Sequence, residues 1–209
     1  MAITIQEGRF YFTFNNHAAA IKLDEVAGYV NYEKELNRFR QTLSKATKSS
    51  LAGIKDIDFV CATKKDILQL IEVKDYSGGD QRKGLMDNLA KFNDEDSKGF
   101  LPKEVAVKVI DTLLALTVSL SNEADISSKT IKTAFSEFIQ QDNLHLSIVL
   151  WLFYDKSEID ERRAAAQLHS VRDKLAKNLR CLGSSTRVRV DIDHNDNLSR
   201  RYNIYTTIA

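Results

Sequence analysis

The residues of this chain that could do chemistry lie in two neighbouring apolar segments. An apolar run over residues 67–71 leads into the triplet Glu72-Val73-Lys74, and the preceding segment carries Asp58. Because side chains alternate across a β-strand, Glu72 and Lys74 project from one face and Val73 from the other. A neighbouring strand can bring the Asp58 carboxylate beside Glu72. Two carboxylates and an ammonium group on one sheet face form a site for a hard divalent cation and an activated water, which indicates metal-dependent phosphodiester cleavage.

These residues stand in two short motifs, Ile57-Asp58-Phe59-Val60 and Ile71-Glu72-Val73-Lys74-Asp75-Tyr76. In both motifs the chain resembles the PD-(D/E)XK nuclease superfamily, which contains restriction endonucleases, junction resolvases and phage exonucleases. The resemblance implies that Asp58 and Glu72 hold Mg²⁺, or Mn²⁺ as a substitute, with help from the Val73 carbonyl. It also implies that Lys74 orients or activates the attacking water. The chain departs from the superfamily pattern at Ile57, where the pattern has proline.

The surroundings of the triplet carry more information than the triplet itself. A charged chain of this length offers roughly one Glu-x-Lys triplet by chance. The comparable triplet Asp96-Ser97-Lys98 lies in a polar run with no strand beneath it. The Glu72 triplet follows an apolar run, as a buried strand requires, and has an aspartate upstream. The alternative is an edge hairpin whose exposed face bears a Glu-Lys pair.

Two further carboxylates are candidates for the same site. Asp56 has the same strand parity as Asp58 and could replace or accompany it, but Asp58 is favoured because apolar residues flank it on both sides. A helix is predicted from Asn31, and Glu33 and Glu35 flank its apolar stripe. The resemblance implies that a glutamate of this helix joins the site, and Glu35 is the choice. The alternative for Glu35 is a solvated helix residue.

The predicted elements alternate between strands and helices over most of the chain. N-terminal strands are expected at Ile3–Ile5 and Arg9–Asn15, with Ala18–Leu23 closing a small antiparallel meander. Later elements are a helix from Pro102 to about Leu120, a helix Ser127–Gln140, a central strand Leu144–Tyr154, a helix opened by Ser157–Asp160 and ended by Gly183, and a hairpin of Thr186–Asp193 with Arg201–Ile208.

This order predicts an α/β sandwich with a mixed central sheet flanked by helices, N-terminal strands and a C-terminal hairpin. It agrees with the restriction-endonuclease-like fold that the resemblance implies. A length of 209 residues suits a single domain, 1–209, with room for a full core. The inner side of the Ser127–Gln140 helix is predicted to carry Ile131, Phe135, Phe138 and Ile139.

Charge and composition restrict the possible partners. The net charge of +1 gives no global field to attract a polyanion, so a nucleic-acid enzyme would need clustered basic residues. Acidic residues interleave with the candidate cluster, so the alternative is a solvated face of mixed sign. The candidate basic residues are Arg162, Arg163, Arg172, Lys174, Lys177, Arg180, Arg187, Arg189, Arg200 and Arg201.

The remaining sequence features predict a cytoplasmic protein without a membrane partner. The two cysteines, Cys61 and Cys181, cannot form a thiolate metal cluster and suit a reducing compartment. The N-terminus lacks the basic and apolar regions of a signal peptide. The longest apolar segment, near Val105–Leu120, is interrupted by Lys108 and Asp111 and is too short to span a bilayer.

Taken together, these features favour a Mg²⁺-dependent nuclease that acts on DNA rather than RNA, and the resemblance implies an endonuclease of restriction or defence type. The resemblance also implies a homodimer, because cutting both strands needs two sites. A competing hypothesis is a non-catalytic nucleic-acid-binding or assembly module that retains the nuclease fold. A third is an unrelated α/β interaction protein whose hairpin imitates the motif.

Overall fold

The computed structural model describes residues 2–26, 30, 33–35, 37–38, 41–42, 55–64, 67–76, 101–121, 129–140, 145–154, 161–182, 188–194 and 201–208. Its strands are β1 (Ile3–Glu7), β2 (Phe10–Phe14), β3 (His17–Ile21), β4 (Phe59–Thr63), β5 (Leu68–Asp75), β6 (Leu146–Phe153), β7 (Val188–His194) and β8 (Ile204–Ile208). Its long helices are α1 (Leu101–Ser121), α2 (Lys129–Gln140) and α3 (Glu161–Asn178).

A five-stranded mixed sheet forms the centre of the molecule, in the order β3-β4-β5-β6-β7. β3, β4 and β5 are successively antiparallel, whereas β5, β6 and β7 are parallel. β6 therefore lies between two parallel neighbours, and the residues from Leu146 to Leu152 are all buried. This arrangement confirms the predicted central strand, because a strand covered on both faces needs apolar side chains at successive positions.

The three long helices cover one face of this sheet. Their inward residues, such as Val105 of α1, Phe135 of α2 and Val171 of α3, share a core with Leu70 and Leu150 of the sheet. Pro102 lies in the first turn of α1, where its missing N–H breaks no helical hydrogen bond. No described helix is long and apolar enough to cross a membrane.

The opposite face is covered by a second sheet, in the order β1-β2-β8. Alternate residues of β2 enter an aromatic core between the sheets. There the Phe12 ring centroid lies 5.0 Å from that of Phe59 and 5.1 Å from that of Trp151. Cys61 is buried in the same core, as predicted. Among the described residues, the predicted flanking helices therefore cover one face of the central sheet, and the second sheet covers the other.

The predicted C-terminal hairpin is wrong. The segment Thr186–Asp193 contributes β7, which pairs in parallel with β6, while Arg201–Ile208 contributes β8, which pairs antiparallel with β2 in the other sheet. Alternation of side chains identifies a strand but not its partner. A parallel pair needs a long crossover, and α3 provides it between β6 and β7.

The predicted N-terminal meander is also wrong in its third strand. Ala18–Leu23 overlaps β3, which leaves the small sheet and pairs with β4. Asn16, with φ of 60°, turns the chain between β2 and β3. Beyond this corner the His17 side chain is buried, and its Nε2 lies 2.9 Å from Gln69 Oε1 on the central sheet. β8 takes the place beside β2 that the prediction gave to β3.

The helix predictions agree with the structure at most described positions. α2 buries Ile131, Phe135 and Phe138, but Ile139 is 50% exposed and its predicted inward position is wrong. At 3.6 residues per turn, Ile139 lies more than a quarter turn away from Phe138 and past the buried stripe. The described residues of 30–42 are helical, whereas Asn31 and the apolar stripe predicted there lie outside the described residues. The predicted cap Ser157–Asp160 and the stop at Gly183 also lie outside them.

The aromatic core should dominate the stability of the sheet pair. Replacing Phe12, which is fully buried, by alanine should lower the free energy of unfolding by about 3–5 kcal/mol, because it leaves a cavity between the two sheets. Urea unfolding followed by tryptophan fluorescence measures this change. The matched control is Tyr11→Ala on the same strand, whose side chain is 40% exposed and should cost less than about 1 kcal/mol. Equal losses in both variants would contradict the proposed packing.

Candidate active site

The candidate site is built on the helix-covered face of β5. Leu70 of β5 packs in the core beneath the helices, while Ile71 and Val73 pack toward the aromatic core. Because side chains alternate, Glu72 and Lys74 therefore lie on the side of the helices, as the sequence predicted. Glu72 is completely buried. A buried carboxylate is costly unless cations or hydrogen-bond donors surround it.

Asp58 immediately precedes β4, and its side chain extends into this site. Phe59 of β4 stands opposite Ile71 of β5, so Asp58 lies across from Glu72. The Val73 backbone N–H donates a 2.6 Å hydrogen bond to Asp58 Oδ2. The structure thus brings the Asp58 and Glu72 side chains together on adjacent segments. The contact observed at Val73 involves its amide, and the ligand role of its carbonyl stays a prediction.

α1 adds two charged residues that sequence reasoning did not include in the site. Lys108 Nζ lies 2.6 Å from Glu72 Oε1 and 3.9 Å from Asp58 Oδ1. One turn earlier, Glu104 Oε1 lies 3.0 Å from Lys74 Nζ, which is also 3.1 Å from Glu72 Oε1. The sequence signal that could have identified them is their i, i+4 spacing as a pair of opposite charges on a largely apolar stretch of helix.

The two carboxylates around Lys74 determine its protonation. Burial alone would lower the pKa of Lys74, but the charges of Glu72 and Glu104 outweigh burial and raise it well above its ordinary range. Burial likewise opposes the effect of Lys74 on Glu104, whose pKa is lowered overall. The charged form of Lys74 is therefore favoured in this arrangement, and as an ammonium group it can donate a hydrogen bond to a water.

Asp58 differs from its neighbours because its charged form is disfavoured. Burial is the main cause, and the nearby Glu72 charge adds to it, while Lys108 and the Val73 amide act in the opposite direction. The net effect raises the pKa of Asp58 to about 7. A carboxyl group with this pKa needs an additional positive charge nearby before it ionises fully at neutral pH.

The residues of the site fit a cation held by two carboxylates. A single cationic nitrogen, Lys108 Nζ, already contacts both Asp58 and Glu72. The second oxygen of Glu72, Oε2, is buried and has no hydrogen-bond partner among the residues that the structure describes. Mg²⁺ is commonly bound by one or two protein carboxylates, with waters and substrate phosphates completing its shell. Within the described ranges, no group of three or more His, Cys, Asp and Glu side chains is arranged to hold a metal.

The additional carboxylates suggested by the sequence do not complete such a group. Neither Asp56 nor Glu35 joins Asp58 and Glu72 in a three-residue ligand set within the part of the chain that the structure describes. Asp56 is half-buried and Glu35 is exposed. Glu33 accepts a 3.2 Å hydrogen bond from Asn37 Nδ2 on its own helix.

The predicted basic surface is partly neutralised by acidic neighbours. Arg172 contacts Asp173, and both Arg189 and Arg201 contact Asp191. These pairs agree with the alternative of a mixed-sign face at those positions. Arg187 and Arg200 lie outside the described residues.

Comparisons with known proteins found no family model, no curated protein and no solved structure that matches this chain.

The environment of Asp58 predicts a pH-dependent stability in metal-free buffer. Because the pKa of Asp58 is raised to about 7, the folded state binds more protons than the unfolded state from about pH 4 to 7. The contribution of Asp58 to stability should therefore fall as pH rises through this window, by on the order of 2–4 kcal/mol. Urea unfolding with EDTA at several pH values should show a flatter profile for Asp58→Asn. Glu35→Gln is the control and should keep the wild-type profile; an unchanged profile in Asp58→Asn would contradict the assignment.

Proposed function

We propose that this protein is a metal-dependent nuclease that hydrolyses phosphodiester bonds, with DNA favoured over RNA. The observation that carries this proposal is the convergence of Asp58 and Glu72 on one cationic nitrogen, with the Lys74 ammonium bonded to the same glutamate. This set matches the residues on which the resemblance to the PD-(D/E)XK superfamily rests. A restriction-endonuclease-like fold and an endonuclease of restriction or defence type belong to the same proposal.

The mixed sheet supports the proposal at the level of topology. The antiparallel pair β4–β5 carries the motif, and β5 continues in parallel with β6 and β7. α1 follows the motif strand and covers the site, as a helix after the third strand does in the implied fold. A homodimer would supply two sites for cutting both strands, and it remains part of the proposal.

Mg²⁺ or Mn²⁺ held by Asp58 and Glu72 would neutralise charge on a substrate phosphate and lower the pKa of a bound water. Lys74 would donate a hydrogen bond toward that water or toward the phosphate oxygens, because its neighbours favour the charged ammonium group. Glu104 would be a positioning residue, since its carboxylate also contacts the Lys74 ammonium.

Lys108 would have to leave Glu72 when a divalent cation binds. Its ammonium group lies on a flexible four-carbon stem that can swing without moving α1. After displacement it is within reach of the same region and can pair with a phosphate oxygen. Lys108 would then serve the site twice, as a counter-cation without substrate and as a phosphate contact with it.

A specific observation supports the competing hypothesis of a non-catalytic module. Lys108 and Lys74 compensate Glu72 without any metal, so the site is also a stable network of buried ion pairs. A structural network would tolerate metal poorly, whereas a nuclease site would exchange Lys108 for it. An unrelated interaction protein is the third hypothesis, and the absence of any nucleic-acid interaction would support it.

The proposed chemistry predicts cleavage that depends on both metal and site residues. Supercoiled plasmid, single-stranded DNA and RNA should be incubated with Mg²⁺, Mn²⁺ or EDTA and resolved on gels. Glu72→Gln and Lys74→Met should each lower the DNA cleavage rate by about 10²-fold or more, because each removes a charged group at the reacting phosphate. Lys129→Met, at an exposed position at the start of α2, is the matched control and should cut like the wild type.

Cleavage in EDTA, or full activity in Glu72→Gln, would contradict the metal site. Metal-independent binding of DNA without cleavage would support the non-catalytic module instead.

The position of Lys108 predicts that it competes with the metal. Lys108→Met should bind Mn²⁺ about tenfold more tightly than the wild type in isothermal titration calorimetry, because the ion no longer displaces an ammonium group from Glu72. Lys103→Met, on the same helix but away from these carboxylates, should bind Mn²⁺ as the wild type does. Equal or weaker Mn²⁺ binding by Lys108→Met would show that Lys108 does not occupy the cation position.

A further inference from the structure

A groove runs between α1 and α3 on the outer side of the helical layer. Its cavity measures about 440 Å³, and its lining includes Lys103, Val107 and Ile110 from α1 and Lys174 and Lys177 from α3. Cavities of this size are typical of ligand-binding clefts. Its lining contains lysines and no acidic side chain among the residues that the structure describes.

The charge of the groove differs from that of the whole molecule. The chain carries a net charge of +1, so a local cluster of lysines is the means by which it can attract an anion. The groove lysines stand at the beginning of α1 and near the end of α3. A ligand with several negative charges therefore fits the rim.

The floor of the groove is apolar and open to solvent. Val107 is 38% exposed and Ile110 is 41% exposed, and Leu114, 46% exposed, continues the stripe along the same side of α1. Their spacing of three and four residues keeps them on one helix face. A ligand that carried only charge would leave this floor uncovered. The occupant should therefore present flat or apolar groups together with its anions.

The groove and the candidate active site share the first turns of α1. Lys103 precedes Glu104, and Val107 precedes Lys108, so successive residues face the groove and the site. At 3.6 residues per turn, consecutive residues lie about 100° apart, so the two surfaces are on adjoining sides of α1. A chain molecule held in the groove could thus extend around α1 toward the site.

We propose that the α1–α3 groove binds a single-stranded segment of polynucleotide that flanks the scissile phosphate. Lys103 and Lys177 contact its phosphates, and the floor of Val107 and Ile110 packs against base faces. Proteins that bind single strands combine a basic groove with aromatic side chains on which bases stack. In this groove the aliphatic side chains of Val107 and Ile110 take the place of the aromatic ones among the described lining residues. A duplex encloses its base faces and presents its phosphates outward, so it leaves the floor uncovered. This inference rests on the proposed nuclease function and narrows its substrate to nucleic acid with a single-stranded region.

Fluorescence anisotropy with a labelled single-stranded 15-mer and a duplex of the same sequence tests the groove. EDTA is present throughout, so binding is measured without metal-dependent cleavage. The double variant Lys103→Gln/Lys177→Gln should bind the single strand about tenfold more weakly. Its log–log salt dependence should be shallower by about 1.4, at roughly 0.7 per lost phosphate contact. Both lysines are exposed, so the fold should be unchanged; a thermal melt verifies this.

A separate variant tests the contribution of the apolar floor. Ile110→Ser should weaken single-strand binding severalfold without changing the salt dependence, and it should leave duplex binding unaffected. Lys129→Gln, an exposed lysine outside the groove, is the matched control for charge and should bind like the wild type. Single-strand binding that is the same in the groove variants and in the control would overturn the proposal. Binding of a glutamate-rich amphipathic peptide in place of the oligonucleotide would overturn it too and identify a protein-docking groove.

The failure of this inference can be distinguished from that of the proposed function. If the wild type cuts DNA with Mg²⁺ but groove variants bind and cut normally, the nuclease stands and the groove assignment is wrong. If no metal produces cleavage while the groove variants lose single-strand binding in EDTA, the groove stands and the nuclease function is wrong.

Discussion

The structure depends on one buried carboxylate. Glu72 is fully enclosed, and transferring an isolated ion from water into a protein interior costs several kcal/mol. Lys74 from the same strand and Lys108 from α1 offset that cost through contacts of 3.1 and 2.6 Å to the same oxygen. Because Lys108 comes from the helix, α1 must dock on β5 at a single register. Glu104 reinforces that register through Lys74.

The two sheets explain why this charged site can exist in a chain of ordinary composition. β5 separates two cores: Glu72 and Lys74 face α1, while Ile71 and Val73 face the aromatic core under the second sheet. Phe12, Phe59 and Trp151 fill that core with closely packed rings. The strand that carries Glu72 and Lys74 is therefore held from behind by dense apolar packing. Functional groups on such rigid elements keep their geometry better than groups on loops.

Structural features that depend on residues close in sequence were predicted correctly from side-chain alternation and apolar runs. The facing of Glu72 and Lys74 follows from strand alternation, and the buried β6 follows from its continuous apolar run. The predictions about β3, β7 and β8 were wrong because alternation does not identify a pairing partner. Each of these strands pairs with a strand that lies far away in the sequence. Asp191 shows the limit clearly: it lies in a segment predicted as one strand of the C-terminal hairpin, but in β7 its side chain is buried and accepts a hydrogen bond from the Tyr202 hydroxyl.

The sequence did not identify Lys108 and Glu104 as site residues for a related reason. In the sequence, Lys108 only interrupts an apolar helix. Its contact with the site carboxylates becomes apparent only when α1 lies over β5. The same is true of Glu104, whose partner Lys74 is separated from it by 30 positions. Where α1 packs its apolar stripe against the sheet, the residues at the edge of that stripe lie beside charged residues of β5. Polar residues at the edge of a buried stripe are thus informative only together with the strand beneath them.

The charge balance of the site has a consequence for the proposed reaction. Three carboxylates face two ammonium groups, Lys74 and Lys108, and the Asp58 group is only partly ionised at neutral pH because its pKa is raised to about 7. In the proposed reaction, a divalent cation held by Asp58 and Glu72 would add positive charge and would take the place of Lys108 at Glu72. A substrate phosphate would then give Lys108 a new partner and would also supply ligands to the metal. Metal and substrate should accordingly stabilise each other's binding, because each satisfies a charge that the other leaves uncompensated.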